Sequence, residues 1–404
     1  MKSILRHIAH WVQLIVAGLL MFSSLTKAID PVGTQLKIGE YMSAFGMDFL
    51  SATAIAMAFG LIIIEFVLGA LLLFRVAVRA ASKATLGLMT LFTILTLIIA
   101  LTNPVSDCGC FGDVVKMSNN QTFVKNVILL LFALIVWLAN RRNENKTQVK
   151  SAAAVVLFSS LVVWATVFSY RNLPLIETTP FRAGVNIPEA MAVPDDAEPD
   201  RYTTELHYRD KATGKVHIFS EKDTTWWDDS KWEFVETKTI LVQKGFRPAI
   251  ENFKLFGVAG DLTDSLMQLK KLMIFVVRDP ESVSDKVLNK VYETREFATK
   301  TELNYILLTS HPEVESRIPS GIDVVRADAT MLKTLLRSSS GVMLLDKGTI
   351  VAKWSINNLP DFSTLKGDFR VKAETYAAQR EVFPYILIVV FIVLIILSYR
   401  YLNK

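Results

Sequence analysis

Six long apolar runs constrain this chain more than any other feature. They cover residues 8–25, 51–74, 85–102, 122–139, 151–169 and 383–399. Each is close to the ~20 apolar residues a helix needs to cross the hydrocarbon core of a bilayer. Backbone groups in lipid have no water to bond, so such runs are expected as helices. At 51% hydrophobic residues and a mean hydropathy of +0.35, the 404-residue chain is too apolar for an ordinary soluble enzyme. The expected fold class is therefore an α-helical membrane protein with the lipid bilayer as its first partner. Lys2 and Arg6 precede the first run, and Thr26-Lys27-Ala28 follows it. A lysine inside the cleavage box argues against a secretory signal peptide and for an uncleaved span.

The basic residues orient the runs. They cluster at the N-terminus, in loop 75–83 (Arg75, Arg79, Lys83), in loop 141–150 (Arg141, Arg142, Lys146) and in the tail (Arg400, Lys404). Short basic loops favour the cytoplasmic side. All four can be cytoplasmic at once if the six runs all cross. That places residues 26–50, the connection after the third run and the long polar stretch 170–381 on the outer face. The expected location is a bacterial inner membrane with both termini cytoplasmic and the soluble part periplasmic. Net charge is +5, but the cations sit in loops beside apolar runs and form no single face, so no nucleic-acid partner is expected. His7, His10, His207, His217 and His311 are scattered and match no ligand spacing, so no metal is expected.

Several residues break the apolar pattern. Asp30-Pro31 is expected to end the first helix at the membrane surface. Lys27 lies one turn earlier. Glu65 falls inside the second run, between Gly60 and Gly69. A carboxylate at that depth is costly and faces a partner or a cavity. It reads equally as a proton or ligand contact and as a polar clamp between helices. The flanking glycines would let neighbouring helices approach closely.

In the polar stretch, Tyr202 to Arg209 and Lys215 to Phe219 flank Ala212-Thr213-Gly214 and read as a β-hairpin, with another strand from Lys231 to Val242. Trp226, Trp227 and Trp232 read as core or interface anchors ahead of a binding surface. Further on, a strand over 272–277, a helix over 280–299, a strand over 303–309, a helix over 329–337 and a hairpin around Asp346-Lys347-Gly348 follow in order. A βαβ unit followed by a hairpin resembles a thioredoxin-like α/β domain. A thiol-active member of that class would carry Cys-x-x-Cys after the first strand. Here that place reads Arg278-Asp279-Pro280-Glu281-Ser282, and Ser338-Ser339-Ser340 stands where a proline is usual. The domain therefore resembles a redox-dead thioredoxin fold that binds or positions a partner.

The chain's two cysteines lie together in Asp107-Cys108-Gly109-Cys110-Phe111-Gly112-Asp113, between the third and fourth runs. One local pair is not a disulfide scaffold. A Cys108–Cys110 bridge is tight, because ordinary disulfides hold Cα atoms about 4.4–6.8 Å apart and strain makes them easier to reduce. Gly109 gives the backbone the freedom such a ring needs. Asp107 and Asp113 disfavour thiolate, and Lys116 offsets this in part. Three readings stay open: a redox-active pair, a structural loop disulfide, and a metal or inter-chain bridge.

The membrane part resembles the DoxX/MauE family of small four-helix membrane proteins. The wording that carries the likeness is FSSLTKAIDPVG after the first run, EFVLGALLL in the second and DCGCFGD after the third. With its fifth run, YRNLPLI, an outer domain and a final helix, the layout resembles extended DoxX-like proteins of the Bacteroidetes type. The implied organisation is a four-span bundle over 1–146, a fifth span over 147–170, a β-rich segment over 171–255, a thioredoxin-like domain over 256–381, and a sixth span with tail over 382–404. MauE-like members are associated with maturation of a disulfide-rich periplasmic subunit, and DoxX-like members with quinone-linked sulfur oxidation. The resemblance thus implies thiol–disulfide or quinone-linked redox work in the cell envelope. Cys108 and Cys110 would exchange electrons with a periplasmic thiol protein, and a quinone would sit near Glu65 with Lys27 and Asp30 at the mouth. Related quinone-coupled enzymes carry further cysteines that this chain lacks. The alternative is a non-catalytic scaffold or chaperone that binds an envelope protein through its soluble domain.

Overall fold

The computed structural model describes residues 2–105, 117–143, 148–243, 245–278, 280–318, 321–362 and 369–402. Among the described residues, six helices are long and apolar enough to cross a membrane, in α1 (Lys2–Ile29), α3 (Ala54–Leu73), α4 (Val78–Thr102), α5 (Asn119–Asn140), α6 (Val149–Arg171) and α12 (Phe369–Leu402); the short helices α7 (Ile187–Met191), α8 (Thr263–Gln268) and α10 (Pro312–Arg317) come between α6 and α12 in the chain. The protein is a multi-pass membrane protein. Much of the apolar surface of these helices faces outward, such as Leu91, Ile94 and Leu101 on α4 and Phe383 and Ile386 on α12. Lipid, not protein, is the expected neighbour of such faces.

The helix ends follow local chemistry. α1 stops at Ile29, and Asp30 caps the short helix α2 (Pro31–Ala44) by accepting the Gly33 N–H at 2.8 Å. Pro31 occupies the first helical position, where its missing N–H costs nothing. α4 ends on Asn103 in the left-handed conformation (φ 45°). α5 starts with a capping box: Ser118 accepts from the Gln121 N–H and Gln121 accepts from the Ser118 N–H.

Three polar contacts fix the direction of the helices within the bundle. Near the start of α1, Gln13 donates to the Leu72 carbonyl at the end of α3, and Asn140 at the end of α5 donates to Gln13 Oε1. Midway along, Asn126 of α5 donates to Thr96 Oγ1 of α4 at 3.2 Å. The tail of α5 therefore lies beside the foot of α1, and the head of α5 shares the end of the bundle where α1 finishes. Gly69 sets the closest approach of α1 and α3. A methyl there would lie 2.9 Å from the Ala17 carbonyl oxygen, whereas one at Gly60 would meet nothing within 4 Å. Only one of the two glycines is an approach site.

Beyond the spans, the described residues include ten strands in two sheets: β1 (Arg201–Asp210), β2 (Val216–Ser220), β3 (Trp232–Gln243), β4 (Phe256–Gly257), β5 (Gly260–Asp261), β6 (Leu272–Val277), β7 (Asn304–Thr309), β8 (Val324–Arg326), β9 (Ser340–Asp346) and β10 (Thr349–Ser355). Seven of them form one sheet in the order β10-β9-β6-β7-β8-β4-β5. β6, β7 and β8 run parallel, with α9 (Asp285–Lys300) crossing from β6 to β7, while β9 and β10 form an antiparallel hairpin beside β6. β6 is buried at all six positions, which explains its unbroken apolar wording LMIFVV. Its core joins Phe275, Val291, Leu307, Val342 and Trp354.

Residues 187–253 form a separate compact unit. It holds the three-stranded antiparallel sheet β2-β1-β3. Asp210 closes the hairpin by accepting the N–H groups of Ala212 and Thr213. Those backbone donors, Thr213 first, hold its carboxyl below the ordinary aspartate range. Trp232 is buried, with Phe219 edge-on at 4.9 Å, Trp226 stacks on Tyr208 at 5.5 Å, and Trp227 is exposed.

Gly69→Ala is expected to destabilise the protein by about 1–3 kcal/mol, the usual range for forcing a methyl into a packed site. Gly60→Ala should leave stability unchanged. Thermal unfolding of both variants in one detergent checks this.

Candidate functional site

Ser24, Lys27 and Asp30 recur every three residues at the end of α1, so they lie along one helix face. The opposite wall is α3. Ser24 Oγ donates to the Ile62 carbonyl at 2.7 Å. One turn on, Lys27 Nζ meets Glu65 Oε2 at 2.8 Å and Oε1 at 3.1 Å, and it also donates to Ser23 Oγ at 2.6 Å. The Lys27 and Glu65 side chains are only 5% and 3% exposed. Two opposite charges at close range with a third hydrogen bond form a pair that lipid surroundings tolerate. The structure thus brings Lys27 and Glu65 together, a pairing the sequence did not indicate, and the contact ties α1 to α3.

Asp30 does something the sequence did not indicate. Its Oδ2 pairs with Arg337 Nε at 2.9 Å, and both side chains are nearly buried, at 9% and 4% exposed. Arg337 follows α11 (Ala329–Leu335) in the seven-stranded sheet domain, so this ion pair ties the sheet domain to the head of α1. Gly33 makes room for it. A methyl there would lie 2.6 Å from Asp30 Oδ2 and 3.3 Å from an Arg337 nitrogen. The glycine of the IDPVG wording is therefore required by close approach.

The loop that carries Arg337 is also braced from β6. The Arg278 N–H donates to the Ser339 carbonyl at 2.9 Å, and its Nη1 donates to the Arg337 carbonyl at 3.0 Å. Arg278, 7% exposed, stands just after β6, where a thiol-active thioredoxin-like domain would carry its cysteines. Ser338 Oγ donates to the Ser340 carbonyl. This end of the sheet is an arginine-braced docking loop.

Two further attachments hold the sheet domain to the end of α6 and to the segment that follows it. At the end of α6, Asn357 donates to the Arg171 carbonyl at 2.6 Å and Ser355 Oγ to Asn172 Oδ1 at 3.4 Å. Past them, the buried Lys353 of β10 donates to the Glu177 carboxylate, to the Phe181 carbonyl at 2.8 Å and to the Leu335 carbonyl at 2.9 Å. Its three donors are all used. Sequence reasoning missed Arg337, Lys353 and Glu177, because an arginine, a lysine and a glutamate in polar segments look like surface residues until their partners are known.

Cys108 and Cys110 lie outside the described residues, as do Asp107, Asp113 and Lys116. Their connection is described only at its two ends. There Asn119 Nδ2 donates to Asn103 Oδ1 at 3.2 Å and to the Val105 carbonyl at 2.8 Å. The ends are thus drawn together at the head of α5, the same end of the bundle as Asp30 and Arg337.

The charged pair does not fit a quinone headgroup at Glu65. The carboxylate is enclosed and both its oxygens are taken by Lys27, while Asp30 is spent on Arg337 and the α2 cap. Among the described residues no group of three or more His, Cys, Asp or Glu side chains is placed to hold a metal ion.

Residues 5–139 match the family model of the methylamine utilisation protein MauE. The match spans the first four membrane helices and includes Lys27, Asp30, Glu65, Cys108 and Cys110, but not the sheet domain. That part of the chain is similar to the MauE family. No curated protein and no solved structure matches the chain.

The clamp makes a specific forecast. Lys27→Met or Glu65→Leu alone strands a buried charge and should cost about 3–5 kcal/mol. The double substitution should recover most of that loss. Denaturation in detergent micelles measures the stabilities, and an additive double variant would mean the two side chains do not act as a pair.

Proposed function

We propose that this protein is a membrane-held thiol–disulfide accessory that acts on envelope proteins. Cys108 and Cys110 would carry the chemistry, and the sheet domain would hold the client. The reading rests on one observation: the ends of the cysteine connection, at Asn103 and Asn119, lie at the same end of the bundle where Arg337 anchors the sheet domain to Asp30. Reactive group and soluble domain would then face one compartment. With six crossings and basic residues in the opposite loops, that compartment is the periplasm and both termini are cytoplasmic. A disulfide persists there. The similarity of residues 5–139 to the MauE family points to the same kind of accessory role.

The exchange balances in two steps. A client thiolate attacks one sulfur of the Cys108–Cys110 disulfide, forming a mixed disulfide and releasing the other cysteine as thiolate. A second client thiolate then attacks the mixed disulfide, leaving the client oxidised by two electrons and the pair reduced. A second disulfide must take those electrons for another turnover. This chain has no further cysteine to pass them on.

The sheet domain fits a thioredoxin-like binding platform without thiol chemistry. Support comes from the parallel β6-α9-β7 unit beside the antiparallel β9-β10 hairpin, with Arg278 where the thiols would stand. That observation also favours the second reading, a scaffold that binds clients without exchanging disulfides.

One trapping experiment separates the two. A variant with Cys110→Ser should accumulate mixed disulfides with defined envelope proteins, released by reductant. If no adduct forms while crosslinks from the sheet domain still recover a partner from a Cys108→Ser, Cys110→Ser variant, the scaffold reading stands and the exchange reading falls.

A further inference from the structure

Between the end of α6 and the start of the apolar part of α12 lies a cavity of about 460 Å³. Its floor is the Lys353–Glu177 ion pair, its apolar side includes Leu175 and Ile176, and Tyr376, Tyr385 and Arg182 complete the rim. Residues 174–176 lie just past the last residue of α6, Arg171, and Tyr385 lies two residues into the run that begins at 383. The cavity therefore opens where two spans leave the hydrocarbon.

From this position and chemistry we infer that the cavity binds the headgroup of an anionic phospholipid from the surrounding leaflet. The inference does not depend on the fate of the cysteines. Lys353 and Glu177 cancel, and the three donors of Lys353 are already used, so the floor carries no free charge. Arg182 is exposed and has no acceptor among the described residues, which leaves one positive charge at the rim. A guanidinium presents paired donors that suit phosphate oxygens. The tyrosines supply rings and hydroxyls of the kind that settle at headgroup depth, and the Tyr376 ring is fixed by Trp354 at 5.8 Å. The volume suits a headgroup and its glycerol but not a whole lipid, whose chains would stay in the bilayer. A segment built this way would be held open. Gly184, with φ at +85°, donates to the Ile350 carbonyl, and Val185 accepts from the Ile350 N–H, so residues 184–186 are sewn to the edge of β10.

The test uses the full chain in phosphatidylcholine nanodiscs, with phosphatidylglycerol as the probe and native mass spectrometry of retained lipid as the readout. Phosphatidylglycerol should be retained over phosphatidylcholine. Arg182→Gln should weaken its retention about tenfold, the scale of one charge-assisted hydrogen bond, while Arg182→Lys keeps most of it. Arg141→Gln, at the far end of α5, should have no effect, and unchanged thermal midpoints would show that the variants fold. Wild-type retention in Arg182→Gln would overturn the inference. So would equal retention of phosphatidylcholine, or displacement of the lipid by inorganic phosphate at similar concentration, which would mark a site for free phosphate.

Discussion

The Asp30 carboxylate is the constraint on which the rest of the architecture depends. One oxygen caps α2 and the other pairs with Arg337, more than 300 residues later in the chain. The two roles are linked. Capping requires Asp30 to sit at the end of α1 with Pro31 behind it, and that placement fixes where the sheet domain can dock. Gly33 is the third member, because any side chain there would press on both charges. A buried ion pair seldom adds much net stability over apolar packing, but losing one partner strands a charge. Such a pair is better suited to specifying a geometry than to stabilising it.

Below Asp30, the polar groups of α1 continue down the helix. Lys27 locks to Glu65, Ser24 to the Ile62 carbonyl, and Gln13 bridges Leu72 and Asn140. Helices in lipid gain little from apolar contact with one another, so polar contacts and close approach carry the specificity. Gly69 supplies the close approach between α1 and α3. The first helix thus acts as a spine: its lower and middle turns set the register of the bundle, and its last turn sets the position of the soluble domain. Attachment at Arg171 and Asn172, and again through Lys353, gives the domain two more fixed points. A domain held at three places presents one face to its compartment.

Much of this was legible in the sequence, for definable reasons. The six runs announced six spans, because hydropathy over twenty residues is a collective signal. The structure extends them at polar ends: α12 begins at Phe369, well before the run at 383, since a helix can continue into water where its apolar run cannot. Strand β6 and the hairpin at Asp210 read directly from apolar wording and turn residues. Glu65 stood out because charge at membrane depth demands a partner, and Asp30 because Asp30-Pro31 breaks a helix; Lys27 was marked by the family resemblance alone. What could not be read was which partner each takes. Lys27 and Glu65 are 38 residues apart and Asp30 and Arg337 far more; with one sequence, nothing local marks Arg337 or Lys353 as different from solvated cations. Gly60 and Gly69 look alike in sequence, and only the packing of α1 separates them.

The most direct measurement of the central claim is a double-mutant cycle on Asp30→Asn and Arg337→Gln, read by hydrogen exchange of α2 and of residues 337–340 in the full-length protein. If the ion pair positions the domain, each single variant should lose on the order of 3 kcal/mol of protection in both segments, and the double variant should lose little more than either. If the losses simply add, or if each variant affects only its own segment, Asp30 and Arg337 do not join the sheet domain to the membrane bundle.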